Sequence, residues 1–139
     1  MNKKTKTIIS LILNAFVFIS ATWITMDMFF TTGEGNMATS SWNVFRYFTI
    51  DSNILCGFVC AMYAIYEVIW LIKGKEMPKW MTILKGSLTT AISVTFFTVL
   101  FFLGPTMGYV LMFIGKNMFL HGITPVAAMV AFMFFEEGK

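Results

Sequence analysis

Two short polar segments interrupt an otherwise apolar sequence, and each contains a residue capable of nucleophilic or acid–base chemistry. Residues 46–53 read RYFTIDSN, and residues 121–125 read HGITP. Ionisable side chains are costly inside a bilayer, so their presence in long apolar stretches indicates a functional site. His121 is the only histidine of the chain, and histidine is the side chain that most readily exchanges a proton near neutral pH. A threonine hydroxyl beside an imidazole supplies a nucleophile and its general base, which makes Thr49 and His121 the candidate pair.

Four further polar residues are candidates to line a substrate pocket or to orient the imidazole: Arg46, Asp51, Asn53 and Asp27. The alternative interpretation of His121 is a buried residue whose ring nitrogens are hydrogen-bonded to a backbone carbonyl or a hydroxyl, as buried polar groups usually are. The sequence leaves both interpretations open.

The composition is that of an integral membrane protein. Of the 139 residues, 58% are hydrophobic and 12% are charged, whereas soluble domains have about 25% charged residues. The length predicts a single integral membrane domain over residues 1–139. The basic residues cluster at the ends of apolar stretches, so the pI of about 9.0 does not indicate a nucleic-acid partner. The sequence shows no zinc-ligand spacing or nucleotide-binding loop, and we expect neither a metal nor a cofactor.

Four apolar stretches determine the predicted architecture. They cover about residues 7–30, 45–72, 86–104 and 117–135, and each approaches or exceeds the ~20 residues that a transmembrane helix needs. The predicted fold class is all-α, a multi-pass bundle of four transmembrane helices in the cell membrane. Eight of the ten basic residues lie before the first stretch, between the second and third, or after the fourth. The positive-inside rule therefore predicts that both termini are cytoplasmic.

Within these helices, polar and small residues recur at intervals of three or four and should face other helices. In the second stretch they are Arg46, Thr49, Asn53, Cys56 or Gly57, Cys60 and Glu67; in the first Ser10, Asn14, Ala21 and Thr25; in the third Gly86, Thr89 or Thr90, and Ser93. Thr49 and His121 each lie about four residues into helices that run in the same direction. Both are therefore predicted to lie roughly 6 Å below the outer ends of those helices.

The segments FRYFTIDSNIL, residues 45–55, and FLHGITPV, residues 119–126, resemble the bacterial predicted-six-transmembrane-helix family. That family is distantly similar to the androgen-induced-protein family, whose members are threonine hydrolases that split fatty-acid esters of hydroxy fatty acids. The resemblance implies that Thr49 is the nucleophile, that His121 is the base and that a membrane lipid is the partner. The family has six helices and this chain supplies four, so the resemblance implies an incomplete substrate pocket or an activity that needs a partner or a homo-oligomer.

Two functions of different classes remain open. The first is an intramembrane hydrolase of lipid esters. The second is a non-enzymatic membrane bundle, such as a small transporter subunit, a lipid-binding protein or an accessory protein. The second function predicts polar residues that continue towards the cytoplasmic end of the bundle, and Glu67 together with Asp51 favours it mildly.

Overall fold

The computed structural model describes residues 1–30, 45, 48–110 and 118–136, and the regular structure within these ranges is entirely helical. The prediction of an all-α fold is therefore confirmed. The long helices are α1 (Lys3–Phe30), α2 (Phe48–Lys73) and α3 (Lys79–Thr98). α3 continues through a π-helical turn, π1 (Val99–Leu103), into the short α4 (Gly104–Met107). The fourth helix, Phe119–Phe135, consists of π2 (Phe119–Ile123), α5 (Thr124–Val130) and π3 (Ala131–Phe135).

Three helices are long and apolar enough to cross a membrane, namely Lys3–Phe30, Phe48–Lys73 and Lys79–Thr106. The fourth helix, Phe119–Phe135, is apolar but shorter within the described residues. Large hydrophobic side chains such as Ile12, Phe58 and Ile83 are exposed on the outside of the bundle, whereas serine, threonine and asparagine side chains are buried within it. This distribution fits a bundle surrounded by lipid. The cytoplasmic location of the termini stays a prediction.

The third helix begins at Lys79 rather than near Gly86, where the apolar stretch begins. Pro78 immediately precedes it, and a proline at a helix start removes no hydrogen bond that the helix needs. Lys79 and Lys85 are thus helical residues and not loop residues. The consequence is large for Lys85, whose relative exposure is 0%.

The helical stripes predicted from the sequence are largely buried. Every predicted member on α1 is buried, and so are Asn53, the two cysteines, Gly57 and Glu67 on α2. On α3 the predicted Thr89 is buried, whereas Gly86 and Ser93 are half-buried. The buried face of α3 also contains Met81, Lys85, Ile92 and Thr95, so a lysine and large apolar residues belong to it.

Two of the π-helical turns precede prolines at the same spacing. In π1 the N–H of Gly104 donates to the carbonyl of Val99, and in π2 the N–H of Thr124 donates to the carbonyl of Phe119. The next residue is Pro105 or Pro125, which has no N–H and cannot continue the α-helical ladder. In the wider π-helical turn, the last N–H before the proline donates to the carbonyl five residues earlier. Such turns occur frequently at functional sites.

The interior is arranged in three apolar layers. The outer end of the bundle, where α1 ends and α2 begins, has a core of Ile24, Met28, Ile50 and Leu120. The middle layer contains Val17, the free thiols of Cys56 and Cys60, Ile92 and Ala128. The inner end, where α2 ends and α3 begins, has a core of Val59, Tyr63 and Met81. Polar side chains lie between and beyond these layers, so two separate polar regions are available for function.

Candidate functional site

Thr49 lies in the first turn of α2 and is half-buried, while Asn53 lies one turn further on and is fully buried. The side-chain amide Nδ2 of Asn53 donates to the backbone carbonyl of Thr49 at 2.7 Å and to that of Leu120 at 3.1 Å. One amide nitrogen therefore joins the turn that carries Thr49 to the residue that precedes His121. We refer to Thr49, Asn53, Leu120 and His121 as the outer site.

His121 is buried, with 4% of its surface exposed, and lies in π2. Its neighbour Leu120 packs in the same core as Ile50, the residue after Thr49. One turn after His121, the hydroxyls of Thr124 and Ser20 lie 3.2 Å apart, which fastens the fourth helix to α1. The backbone around the imidazole is thus held on two sides, by α2 and by α1.

The other residues that the sequence predicts for the site are Asp51, Asp27 and Arg46. Asp51 and Asp27 are half-buried, Asp51 in the first turn of α2 and Asp27 near the end of α1. Their assignment as orienting groups for the imidazole stays a prediction. Arg46 lies outside the described residues. Among the predicted site residues, Asn53 and Thr49 are joined by a hydrogen bond from the Asn53 side chain to the Thr49 carbonyl. The second hydrogen bond of Asn53 goes to the carbonyl of Leu120, the residue before His121.

Comparison of the chain with protein-family models, with curated proteins and with solved structures finds no match. The family resemblance therefore stays an expectation. A functional assignment depends on the two polar regions themselves.

The second polar region lies at the inner end, and we name it the inner cluster: Ser10, Asn14, Glu67, Lys85 and Glu136. The ammonium Nζ of Lys85 lies 2.9 Å from Oε1 of Glu136, with both side chains 0% exposed. Nδ2 of Asn14 lies 3.2 Å from the same carboxylate oxygen, 3.4 Å from Oε2 of Glu67 and 3.1 Å from Oγ of Ser10. Side chains from α1, α2, α3 and the residue after the fourth helix therefore meet in one network.

Aromatic rings cover the charged nitrogen of the inner cluster. Nζ of Lys85 lies 5.7 Å from the centre of the Tyr63 ring and 5.9 Å from that of Phe132. These distances lie within the range of cation–π attraction. The rings help to compensate for the loss of water around a buried ammonium group.

A cavity of about 190 Å³ leads to the inner cluster from the inner end of the bundle. Glu67 and Tyr63 line this cavity, and Trp70 and Phe135 contribute further aromatic surface. Its other lining residues are Lys3, Thr7, Glu76, Met77, Lys79 and Thr82. Glu67 belongs to both the cavity lining and the inner cluster, so it connects the buried network with the cavity.

Helical spacing identified three of the five residues of the inner cluster as interior residues. The helical spacing placed Ser10, Asn14 and Glu67 on interior faces, but Lys85 was counted among the charges that set topology. Glu136 lies one residue beyond the fourth predicted stretch, residues 117–135, yet it is only 2% exposed. The available signal was the position of Lys85, one helical turn after Met81 and one before Thr89, on a face otherwise directed inwards. Among the described residues, no group of three or more histidine, cysteine or acidic side chains is placed to hold a metal ion.

Proposed function

We propose that this chain is an intramembrane hydrolase of lipid esters in which Thr49 is the nucleophile and His121 is the general base. The observation that carries the proposal is the double hydrogen bond of Asn53, which ties the backbone at Thr49 to the residue before His121. A nucleophile and its base act as a unit only if the elements that carry them are held in fixed register. Asn53 is a positioning residue in this scheme.

The location of Thr49 supports the same chemistry. It lies in the first turn of the 26-residue helix α2, where the helix macrodipole presents roughly half a positive elementary charge. Attack on an ester produces a negatively charged oxygen, and a helix N-terminus stabilises such charge. The half-buried state of Thr49 is compatible with access by substrate.

An apolar groove next to the outer site suits an acyl chain. It is lined by Leu13, Met118, Gly122, Ile123, Val126, Ala127 and Val130. Gly122 and Ile123 directly follow His121 in sequence. A fatty-acid chain lying along the fourth helix would have its ester group close to the level of His121.

The proposed reaction has two steps. The Thr49 hydroxyl oxygen bonds to the ester carbonyl carbon while the imidazole of His121 takes the hydroxyl proton. The carbon–oxygen bond to the alcohol then breaks, and the imidazolium gives the proton to the departing alkoxide. In the second step the imidazole activates a water molecule, which attacks the acyl–threonine ester and releases the fatty acid and the free Thr49 hydroxyl.

The test is hydrolysis of a panel of fatty-acid esters by purified protein in nanodiscs. Thr49→Ala removes the nucleophile and should abolish turnover, and His121→Ala should lower the rate by at least about 10²–10⁴-fold, the usual contribution of a general base. The double variant should be no slower than the slower single one, because residues that act as a unit are not additive. Thr49→Ser keeps the hydroxyl and should retain activity.

The matched control is Thr90→Ala. Thr90 is an exposed threonine on α3 whose hydroxyl donates only to the carbonyl of Gly86 in the same helix. Its replacement should leave the rate unchanged. Equal rates for the wild type and for the Thr49→Ala/His121→Ala variant across the panel would refute the proposal.

The inner cluster favours a second candidate function, that of a non-enzymatic bundle that binds or conducts a polar solute. Its support is the pair of buried carboxylates beside a cavity at the inner end, since a solute-binding bundle is expected to have polar residues towards that end. This function requires neither Thr49 nor His121. Retention of solute binding by the Thr49→Ala/His121→Ala variant would separate the two candidates.

A further inference from the structure

The inner cluster contains an excess of negative charge on buried side chains. When all its ionisable groups are charged, Glu67 and Glu136 contribute two negative charges and Lys85 contributes one positive charge. Glu67 is 4% exposed, Glu136 is 2% exposed and Lys85 is 0% exposed. Burial of an uncompensated charge is costly, so one further positive charge is needed for the cluster to be neutral.

The inner cluster also contains buried oxygens that receive no hydrogen bond from the described part of the chain. The amide Nδ2 of Asn14 has two N–H groups but lies within hydrogen-bonding distance of three acceptors. Lys85 and Asn14 both donate to Oε1 of Glu136, while Oε2 of Glu136 and Oδ1 of Asn14 are buried without a partner among the residues that the structure describes. Buried oxygens that lack donors are the groups that a cation would satisfy.

We propose that the inner cluster is a binding site for one monovalent cation, a proton or an alkali-metal ion, and that Glu67 exchanges this cation with the cavity at the inner end. One positive charge neutralises the cluster, whereas a divalent ion would overcompensate it. The oxygens of Glu67, Glu136 and Asn14 are hard ligands of the kind that a small alkali ion prefers to sulfur or nitrogen. Glu67 lines the cavity and is therefore the carboxylate that an incoming cation meets.

The charges at the cavity mouth do not oppose this route. Lys3, Lys79 and Glu76 line the cavity but are exposed. Exposed charges are screened by salt over about 8–10 Å, whereas buried charges are screened much less. The field at Glu67 is therefore dominated by its buried neighbours Asn14, Lys85 and Glu136, with Ser10 and Tyr63 as the other polar groups nearby.

The first experiment measures the thermal unfolding of the purified protein in nanodiscs in lithium, sodium, potassium or choline chloride at constant ionic strength. A cation that binds only the folded protein raises Tm as its concentration increases. We expect such a rise for at least one alkali ion over choline if that ion is the ligand. Glu67→Gln and Glu136→Gln each make the inner cluster neutral, so each should abolish the rise in Tm with cation concentration. Lys85→Gln leaves two negative charges in the cluster, so it should make Tm rise more steeply.

The second experiment identifies a proton as the ligand. Infrared spectra near neutral pH, where solvent-exposed carboxylates are ionised, should show the C=O stretch of a protonated carboxylic acid in the wild type, and Glu67→Gln should remove that band. Glu76→Gln is the matched control, because Glu76 lines the same cavity but is exposed. This variant should behave like the wild type in both experiments.

The opposite responses of the charge variants distinguish binding from damage to the fold, since damage would weaken the response of all three in the same direction. An alkali-ion effect that persists in Glu67→Gln would overturn the proposal. So would the combination of a Tm indifferent to alkali ions and the absence of a Glu67-dependent carboxylic-acid band. Neither outcome bears on Thr49 and His121, so this proposal and the proposed hydrolase can fail separately.

Discussion

At the scale of single residues, the Lys85–Glu136 ion pair is the contact whose loss should cost the most. Both side chains are 0% exposed and their charged atoms lie 2.9 Å apart. The attraction between them offsets the removal of two charges from water, and such pairs often contribute little compared with well-packed apolar residues. Removal of one partner has a different effect, because it leaves the other charge buried and unpaired.

We therefore predict that Lys85→Met lowers the free energy of unfolding by about 3–5 kcal/mol. The double variant Lys85→Met/Glu136→Leu should recover most of this loss, since it also removes the Glu136 charge that Lys85→Met leaves without its partner. The free energies of unfolding of both variants would be measured in mixed detergent. A double variant as unstable as the sum of the two single variants would contradict this prediction, because additive effects mean that the two charges are not coupled.

The matched control is Lys79→Met, at an exposed lysine in the first turn of α3. Exposed charges contribute between zero and about 1 kcal/mol to stability. This variant should unfold almost as the wild type does. A loss comparable to that of Lys85→Met would indicate that the methionine itself disturbs α3.

At the scale of elements, α1 and α2 form the most extensive helix contact of the described residues, and a glycine permits it. A Cβ atom at Gly57 would lie 3.1 Å from Cβ of Ala21 and 3.6 Å from the backbone at Phe18. Small residues allow helix backbones to approach closely in a membrane, where packing replaces the hydrophobic effect as the driving force.

We predict that Gly57→Val destabilises the bundle by about 1–3 kcal/mol, the usual cost of overpacking. The branched side chain would push α2 away from α1 and loosen the network that both helices share. The measurement is again the free energy of unfolding in detergent. Ile65→Val is the control, since Ile65 is exposed on the same helix and its change should have little effect.

The sequence predicted the elements better than their ends. Apolar length revealed the long helices, and spacing revealed the buried faces of α1 and α2, because both properties are local. The start of α3 at Lys79 was missed, since hydropathy alone assigns lysines to loops. Lys85 is buried and paired because Glu136 lies beside it in the fold, although the two residues are 51 positions apart in sequence. No local sequence pattern contains that information.

At the scale of the whole molecule, an apolar middle layer separates the two polar regions. The outer site was predicted from Thr49 and His121, whose residue types are unusual for a membrane helix. The inner cluster was not predicted as a unit, because it forms only when four helical segments converge. The outer site and the inner cluster lie at opposite ends of the bundle. The orientation of the chain in the membrane therefore determines which compartment each of them faces.

We predict that the inner end, with the connection between α2 and α3, faces the cytoplasm, because eight of the ten basic residues lie on that side of the predicted spans. Cysteine labelling in intact cells tests this orientation. The starting protein carries Cys56→Ala and Cys60→Ala, which remove the two native thiols. A cysteine at Gly35 should react with an impermeant thiol reagent from outside, whereas one at Gly74 should react only after the membrane is opened.

Labelling of Gly74→Cys and protection of Gly35→Cys in intact cells would show that the topology is the reverse of the predicted one. The inner cluster would then exchange cations with the exterior, and the outer site would face the cytoplasm.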